Sequence, residues 1–139
     1  MRKGILYVVL GLFVVFVGCS DDDEPQVDPL DGAWSIINIS GGFAGIDDDY
    51  TQGDIVWNFD TISSEIGVQN NNPTNTIYDG LDSDEYPYTI LTVGKDKYLQ
   101  INGQEFGRMS ITQDMMTLNQ NFLSTGNGAD GFVLLFAKN

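Results

Sequence analysis

The chain has 139 residues, 20 acids against six Lys and Arg, no histidine and one cysteine, for a formal charge of −14. A balance this acidic disfavours nucleic acid and anionic membrane surfaces as partners. Without histidine the usual general base and the commonest metal ligand are gone, so Ser-His-Asp, Cys-His and histidine-zinc arrangements are excluded, and a lone cysteine forms no disulfide within the chain.

The start Met1-Arg2-Lys3 is basic, and Ile5 to Val17 is thirteen residues without a charge. As a helix that run reaches about 20 Å, short of the roughly 30 Å hydrocarbon core, so it reads as a signal-peptide apolar region rather than a span. It ends in Val17-Gly18-Cys19-Ser20. The stretch resembles a bacterial lipoprotein signal with its lipobox. That resemblance implies loss of residues 1–18 and a mature N-terminus at Cys19 carrying diacylglycerol and an N-acyl chain such as palmitate. The plainer alternative is a small buried cysteine. Two or three acyl chains hold a membrane stably, where one is marginal.

Ser20-Asp21-Asp22-Asp23-Glu24 follows, and Pro25, Asp28, Pro29 and Asp31 extend the polar stretch. Such a segment buries no apolar area and stays solvated, which suits a tether over residues 19–29. An acidic patch directly after the cysteine also resembles the surface-export signal of Bacteroidetes lipoproteins, implying display on the outer face of the outer membrane. The composition is equally compatible with a periplasm-facing anchor. Without residues 1–18 the cations are Lys95, Lys97, Arg108 and Lys138 against all twenty acids, a formal −16.

From Leu30 to Asn139 short apolar runs alternate with turn residues, the pattern of one all-β domain. Ala33–Ile39 is the first strand, followed by a glycine- and acid-rich loop that includes Asp47-Asp48-Asp49. Ile55–Asp60 alternates Ile55, Trp57 and Phe59 against polar positions, and Ser64–Gln69 pairs after it. Residues 70–85 read as a connection, with a short strand near Thr76–Tyr78 as an option. Tyr86–Val93, Tyr98–Ile101, Glu105–Thr112 and Met115–Asn119 form a meander whose Asn102-Gly103 spells a type I′ hairpin turn. Phe132–Ala137 is the last strand, apolar on both faces. About eight sequential strands with no crossover helix predict an antiparallel up-and-down barrel or a sandwich, and a barrel leaves no exposed edge.

Gly32-Ala33-Trp34 opens the domain, Trp57-Asn58-Phe59 lies on the second strand, and Lys138 follows the last. This is similar to lipocalins, whose Gly-x-Trp on the first strand closes one end of the barrel. Residues 30–139 as a whole resemble the small lipocalin-like domains of Bacteroidetes lipoproteins. The family places a basic residue over the tryptophan, usually arginine; here the position is Lys138. The domain is shorter than a true lipocalin, and eight-stranded barrels are either filled by side chains or hold one small ligand.

Two expectations follow. In one, Trp57, Phe59, Tyr88, Ile90, Phe106, Met116 and Leu134 line a pocket for a small hydrophobic or amphipathic ligand, with Gly32, Trp34 and Lys138 structural. In the other, the same side chains are simply barrel core, and the protein is a surface structural or interaction module for a protein or glycan partner. Asp47, Asp48, Asp49, Asp54, Asp79, Asp82, Asp84 and Glu85 offer oxygens for calcium, but Asp82-Ser83-Asp84 lacks the glycine and the distal glutamate of a calcium loop, so solvated loops are expected. Nothing places two carboxylates in one cleft, and there is no nucleophile motif, so neither enzyme, cofactor nor metal is expected.

Overall fold

The structure is a computed structural model that describes residues 26–139. The signal segment 1–18, Cys19 and the acidic run Ser20–Glu24 lie outside the described residues. The described residues hold no helix. In chain order the strands are β1 (Gly32–Gly41), β2 (Ile46–Asp49), β3 (Ile55–Asp60), β4 (Glu65–Asn70), β5 (Glu85–Val93), β6 (Asp96–Ile101), β7 (Gln104–Thr112), β8 (Met115–Asn119), β9 (Phe122–Leu123), β10 (Gly126–Asn127) and β11 (Phe132–Lys138).

Eight of these form a closed antiparallel barrel in the order β1-β3-β4-β5-β6-β7-β8-β11, with β11 pairing back onto β1. Neighbours in sequence are neighbours in space, the up-and-down arrangement that the meander implies. β2 continues the wall beside the second half of β1, and β9 and β10 form a separate two-stranded hairpin.

The alternation of apolar residues sets the inside. On β3, Ile55, Trp57 and Phe59 are buried while Asn58 and Asp60 are exposed. On β11, Leu134 and Phe136 are fully buried, whereas Val133, Leu135 and Ala137 are only half-buried on the other face. Seventeen buried residues, from Leu30 to Phe136, make one continuous core. Asn102 and Gly103 have φ of 52° and 74°, the left-handed pair that a type I′ turn requires.

A bulge re-aims one core side chain. Leu99 opposes Gly107 and Gln100 opposes Glu105, so Phe106 is an extra residue on β7. Its ring packs edge-on against Trp57, with centroids 5.6 Å apart. An extra residue on one strand bends it and increases the local twist, which helps a short barrel to close.

Two segments depart from the sequence-based expectation. Ile46–Asp49 reads as loop because aspartate disfavours strands. It pairs as β2 because Asn38 Nδ2 donates to both Asp47 Oδ1 and Asp49 Oδ1, at 2.9 Å each, on the strand opposite. Thr76–Tyr78 is not a strand. It belongs to an irregular cover whose polar groups bond to side chains rather than to a ladder, as in Asn72 Nδ2 to Thr76 Oγ1 at 3.2 Å.

Candidate functional site

Strand registers define two barrel ends. One end gathers the start of β1, the turns 60–65, 94–95 and 113–114, and the C-terminus. The other gathers the loops 42–45, 50–54, 70–85 and 120–131.

The second end is plugged. Gly80 lies over the core so closely that a Cβ there would sit 3.2 Å from Ile36 Cδ1 and 3.6 Å from Trp57 Cζ2. Its φ of +93° is a glycine conformation as well. The Tyr78 ring stacks on Phe132 at 4.1 Å with a 12° tilt. Tyr50 Oη donates to the Tyr78 carbonyl at 2.9 Å, and Gln120 Nε2 donates to Tyr78 Oη at 3.2 Å. Burial raises the Tyr78 phenol above its ordinary pKa, with Asp79 adding to the shift. The loops 50–54 and 70–85 meet here, since Asn71 N donates to the Asp54 carbonyl at 2.8 Å. Their carboxylates do not converge: among the described residues no three Asp or Glu side chains gather as a metal site.

The interior is filled. Trp57 packs against Phe59, Phe106 and Phe136, with centroids 6.4, 5.6 and 5.2 Å away, and Phe59 meets Tyr88 edge-on at 5.4 Å. Met116 and Leu134 are fully buried beside them. The structure thus places Trp57, Phe59, Tyr88, Phe106, Met116 and Leu134 together as core.

The first end is corked on one side and open on the other. Asp28 Oδ1 accepts from Leu30 N at 2.9 Å, forming a tight turn that drops the Leu30 side chain, 3% exposed, into the barrel mouth. Trp34 Nε1 donates to the Leu30 carbonyl at 2.8 Å. Lys138, opposite Trp34 in the β1–β11 register, sets its Nζ 5.0 Å from the Trp34 ring centroid and donates to the Pro29 carbonyl at 3.0 Å. Asp31 Oδ1 accepts from Thr61 N and Thr61 Oγ1, at 3.0 and 2.9 Å, tying the turn to the β3–β4 connection.

All of these ties run to β1, β11 and the β3–β4 connection. On the opposite wall, between the Asp28–Leu30 turn and the ends of β5, β6 and β7, a cleft of about 900 Å³ opens. Ile90, Met109 and Ile111 give it an apolar floor, and Lys95, Lys97 and Arg108 give it a basic rim. Register fixes the direction of one cation. Lys97 pairs with Met109 on one side and Thr92 on the other, and Met109 is a core residue, so Lys97 lies on the inner face of the wall. Arg108, one residue along β7, lies on the opposite face of the wall, its guanidinium 4.0 Å from the Phe122 ring centroid.

Of the seven pocket residues expected from the sequence, Ile90 lines this cleft and the other six do not. The sequence reading passed over Lys95, Lys97, Arg108, Met109 and Ile111. The available signal was scarcity: three of the four cations after Cys19 fall between positions 95 and 108.

No family model, curated protein or solved structure matches the chain.

Proposed function

We propose that this protein is a lipid-anchored module of the cell envelope that binds a small hydrophobic or amphipathic molecule, held to the outer membrane through acyl chains on Cys19 and displayed at the surface. The observation that carries the reading is the cleft of about 900 Å³ at the Trp34 end. Small-molecule sites commonly measure roughly 300–1,000 Å³ and combine an apolar surface with a few placed polar groups. Ile90, Met109 and Ile111 with Lys95 and Lys97 are such a mixture.

The anchor reading rests on Met1-Arg2-Lys3, the uncharged run and Val17-Gly18-Cys19. Cys19 precedes Asp28 by nine residues, a span of at most about 30 Å when extended. The tether enters the barrel at the end that carries the cleft, so this reading places the binding site within a short reach of the membrane. Replacing Cys19 by Ala should move the protein from the membrane to the soluble fraction. Retention of that variant in membranes would remove the anchor from the proposal.

The residues 20–139 should bind a twelve-carbon amphiphile saturably, with methyl resonances of Ile90, Met109 and Ile111 shifting in NMR. Absence of saturable binding by any amphiphile would overturn the binding role. A second reading, a non-catalytic interaction module, is favoured by one observation at the plugged end: Phe43 is 93% exposed and Ile77 71% exposed on loops facing away from the tether. Two apolar side chains held in water at one end suit a protein or glycan partner.

A further inference from the structure

We infer that the cleft at the Trp34 end selects an amphipathic anion: an apolar chain on Ile90, Met109 and Ile111, and a negatively charged head held by Lys95 and Lys97. The inference rests on the binding role proposed above and names the chemistry of its ligand.

Residues 26–139 contain four cations and sixteen acids. Three of the four cations line the cleft, against two of the sixteen acids, Asp28 and Asp96. The lining is therefore net positive on a molecule that is strongly negative everywhere else.

Among the described residues, the two lysines of the cleft have no structural partner. No ion pair forms among the described residues. The only lysine ammonium hydrogen-bonded among them is Lys138, whose acceptor is the Pro29 carbonyl. Lys138 has a structural task over Trp34, and Arg108 rests on Phe122. Lys95 and Lys97 are held by neither a carboxylate nor an aromatic ring.

Lys97 shares the face of Met109 and Thr92, lines the cleft and is exposed at its mouth. That is the disposition a chain-plus-headgroup ligand needs: methylenes against methylenes, and an anionic head at the ammonium. Of the two lining acids, Asp28 accepts from Leu30 N through Oδ1 and so helps to shape the turn.

The chain's own acidic run, Asp21–Glu24, is a competing anion of suitable charge. It carries no apolar chain and has no use for the floor.

The core is complete between Leu30 and Phe136, so residues 20–139 hold the whole barrel. Titrate that protein with dodecanoate and with dodecyltrimethylammonium, two amphiphiles of equal chain length and opposite charge. The molecule's overall charge favours the cation, so only the local cluster can favour the anion. The expected result is saturable binding of dodecanoate at one equivalent, with shifts at Ile90, Met109 and Ile111. The double variant Lys95→Gln, Lys97→Gln should weaken it about tenfold or more, since a hydrogen bond to a charged group contributes at least that much. Both lysines are exposed or at the rim, and an unchanged melting temperature would show that the variant is folded.

Equal or tighter binding of dodecyltrimethylammonium at the same methyl groups would overturn the anion preference and leave the binding role standing. No binding of either amphiphile would overturn both. If replacing Asp21–Glu24 by serine shifts the same methyl resonances and dodecanoate still does not bind, the cleft belongs to the chain's own acidic run and the inference falls.

Discussion

Trp34 and Lys138 stand directly opposite each other on β1 and β11, and the lysine Nζ sits 5.0 Å above the indole. The pair closes the barrel seam, because β11 returns to β1 at this register. The same ammonium donates to the Pro29 carbonyl, so one side chain joins the last strand, the first strand and the incoming turn. Lys138→Ala should cost about 0.5–1 kcal/mol for the cation–π contact, and Lys138→Arg should keep most of it. Urea unfolding measures both. A loss for Arg equal to that for Ala would show that the ring contact contributes nothing.

The two tryptophans are neighbours in register but differ in satisfaction. Trp34 Nε1 has the Leu30 carbonyl at 2.8 Å, whereas Trp57 Nε1 is buried with no acceptor. A buried donor without a partner costs roughly 1–3 kcal/mol. Trp57→Phe removes that donor along with part of the ring, so the two effects oppose. Trp34→Phe removes ring volume and also strips the Leu30 carbonyl of its partner. Trp34→Phe should therefore destabilise more than Trp57→Phe, by about 1 kcal/mol or more. Equal losses in urea unfolding would mean that the orphaned donor carries no cost.

Much of this architecture was legible because strand patterning is local. Ile55, Trp57 and Phe59 announce their face by alternation, and Asn102-Gly103 announces its turn by backbone geometry alone. β2 was not legible, because its pairing depends on Asn38, on another strand, bridging two aspartates. The plug was not legible either: Gly80 matters through what lies beneath it, which no local pattern records. The cleft was missed for a related reason. Apolar alternation marks what is buried, and six of the seven residues it singled out are core. The rim is marked instead by three cations on β6, β7 and the turn before β6, which only the barrel's registers bring together.

Gly107 follows the bulge that turns Phe106 inward. A Cβ at this position would lie 2.7 Å from the Asn119 carbonyl oxygen and 2.9 Å from its carbon. Both are backbone atoms in the β7–β8 ladder, so nothing flexible can yield. Gly107→Ala should destabilise by roughly 1–3 kcal/mol, the range for overpacking. It should also loosen Phe106 from Trp57, visible as altered tryptophan fluorescence in the folded state. A neutral substitution would show that β8 can move away.

Asn38 makes the β2 pairing tolerable for three consecutive aspartates. Asn38→Ala removes the amide that both Asp47 and Asp49 accept from, leaving the two like charges unbridged on one face. Amide exchange at residues 46–49 should speed up while the barrel amides are unchanged. Added salt should restore part of the protection by screening the repulsion. Unchanged exchange at Ile46–Asp49 would mean that the backbone ladder alone holds the strand.

Alkaline pH should unlock the plug through Tyr78. Burial raises its folded pKa above the ordinary 10.0; the Gln120 hydrogen bond works in the other direction, and Asp79 adds a smaller push upward. A raised folded pKa means that folding favours the protonated phenol. The stability from keeping Tyr78 neutral is complete below about pH 10 and is lost as pH rises through the folded value, where the unfolded chain has already released its proton. Tyr50, Tyr86 and Tyr88 are raised by burial in the same sense, so the whole protein should weaken above pH 10. Tyr78→Phe keeps the ring stacked on Phe132 but removes the titrating group. In urea unfolding, the fall in stability above pH 10 should be shallower for this variant than for the parent protein. At neutral pH the variant should lose only the Gln120 hydrogen bond, about 0.5–1.5 kcal/mol. An identical alkaline fall in both proteins would place the sensitivity at the other tyrosines and leave the plug without a titrating latch.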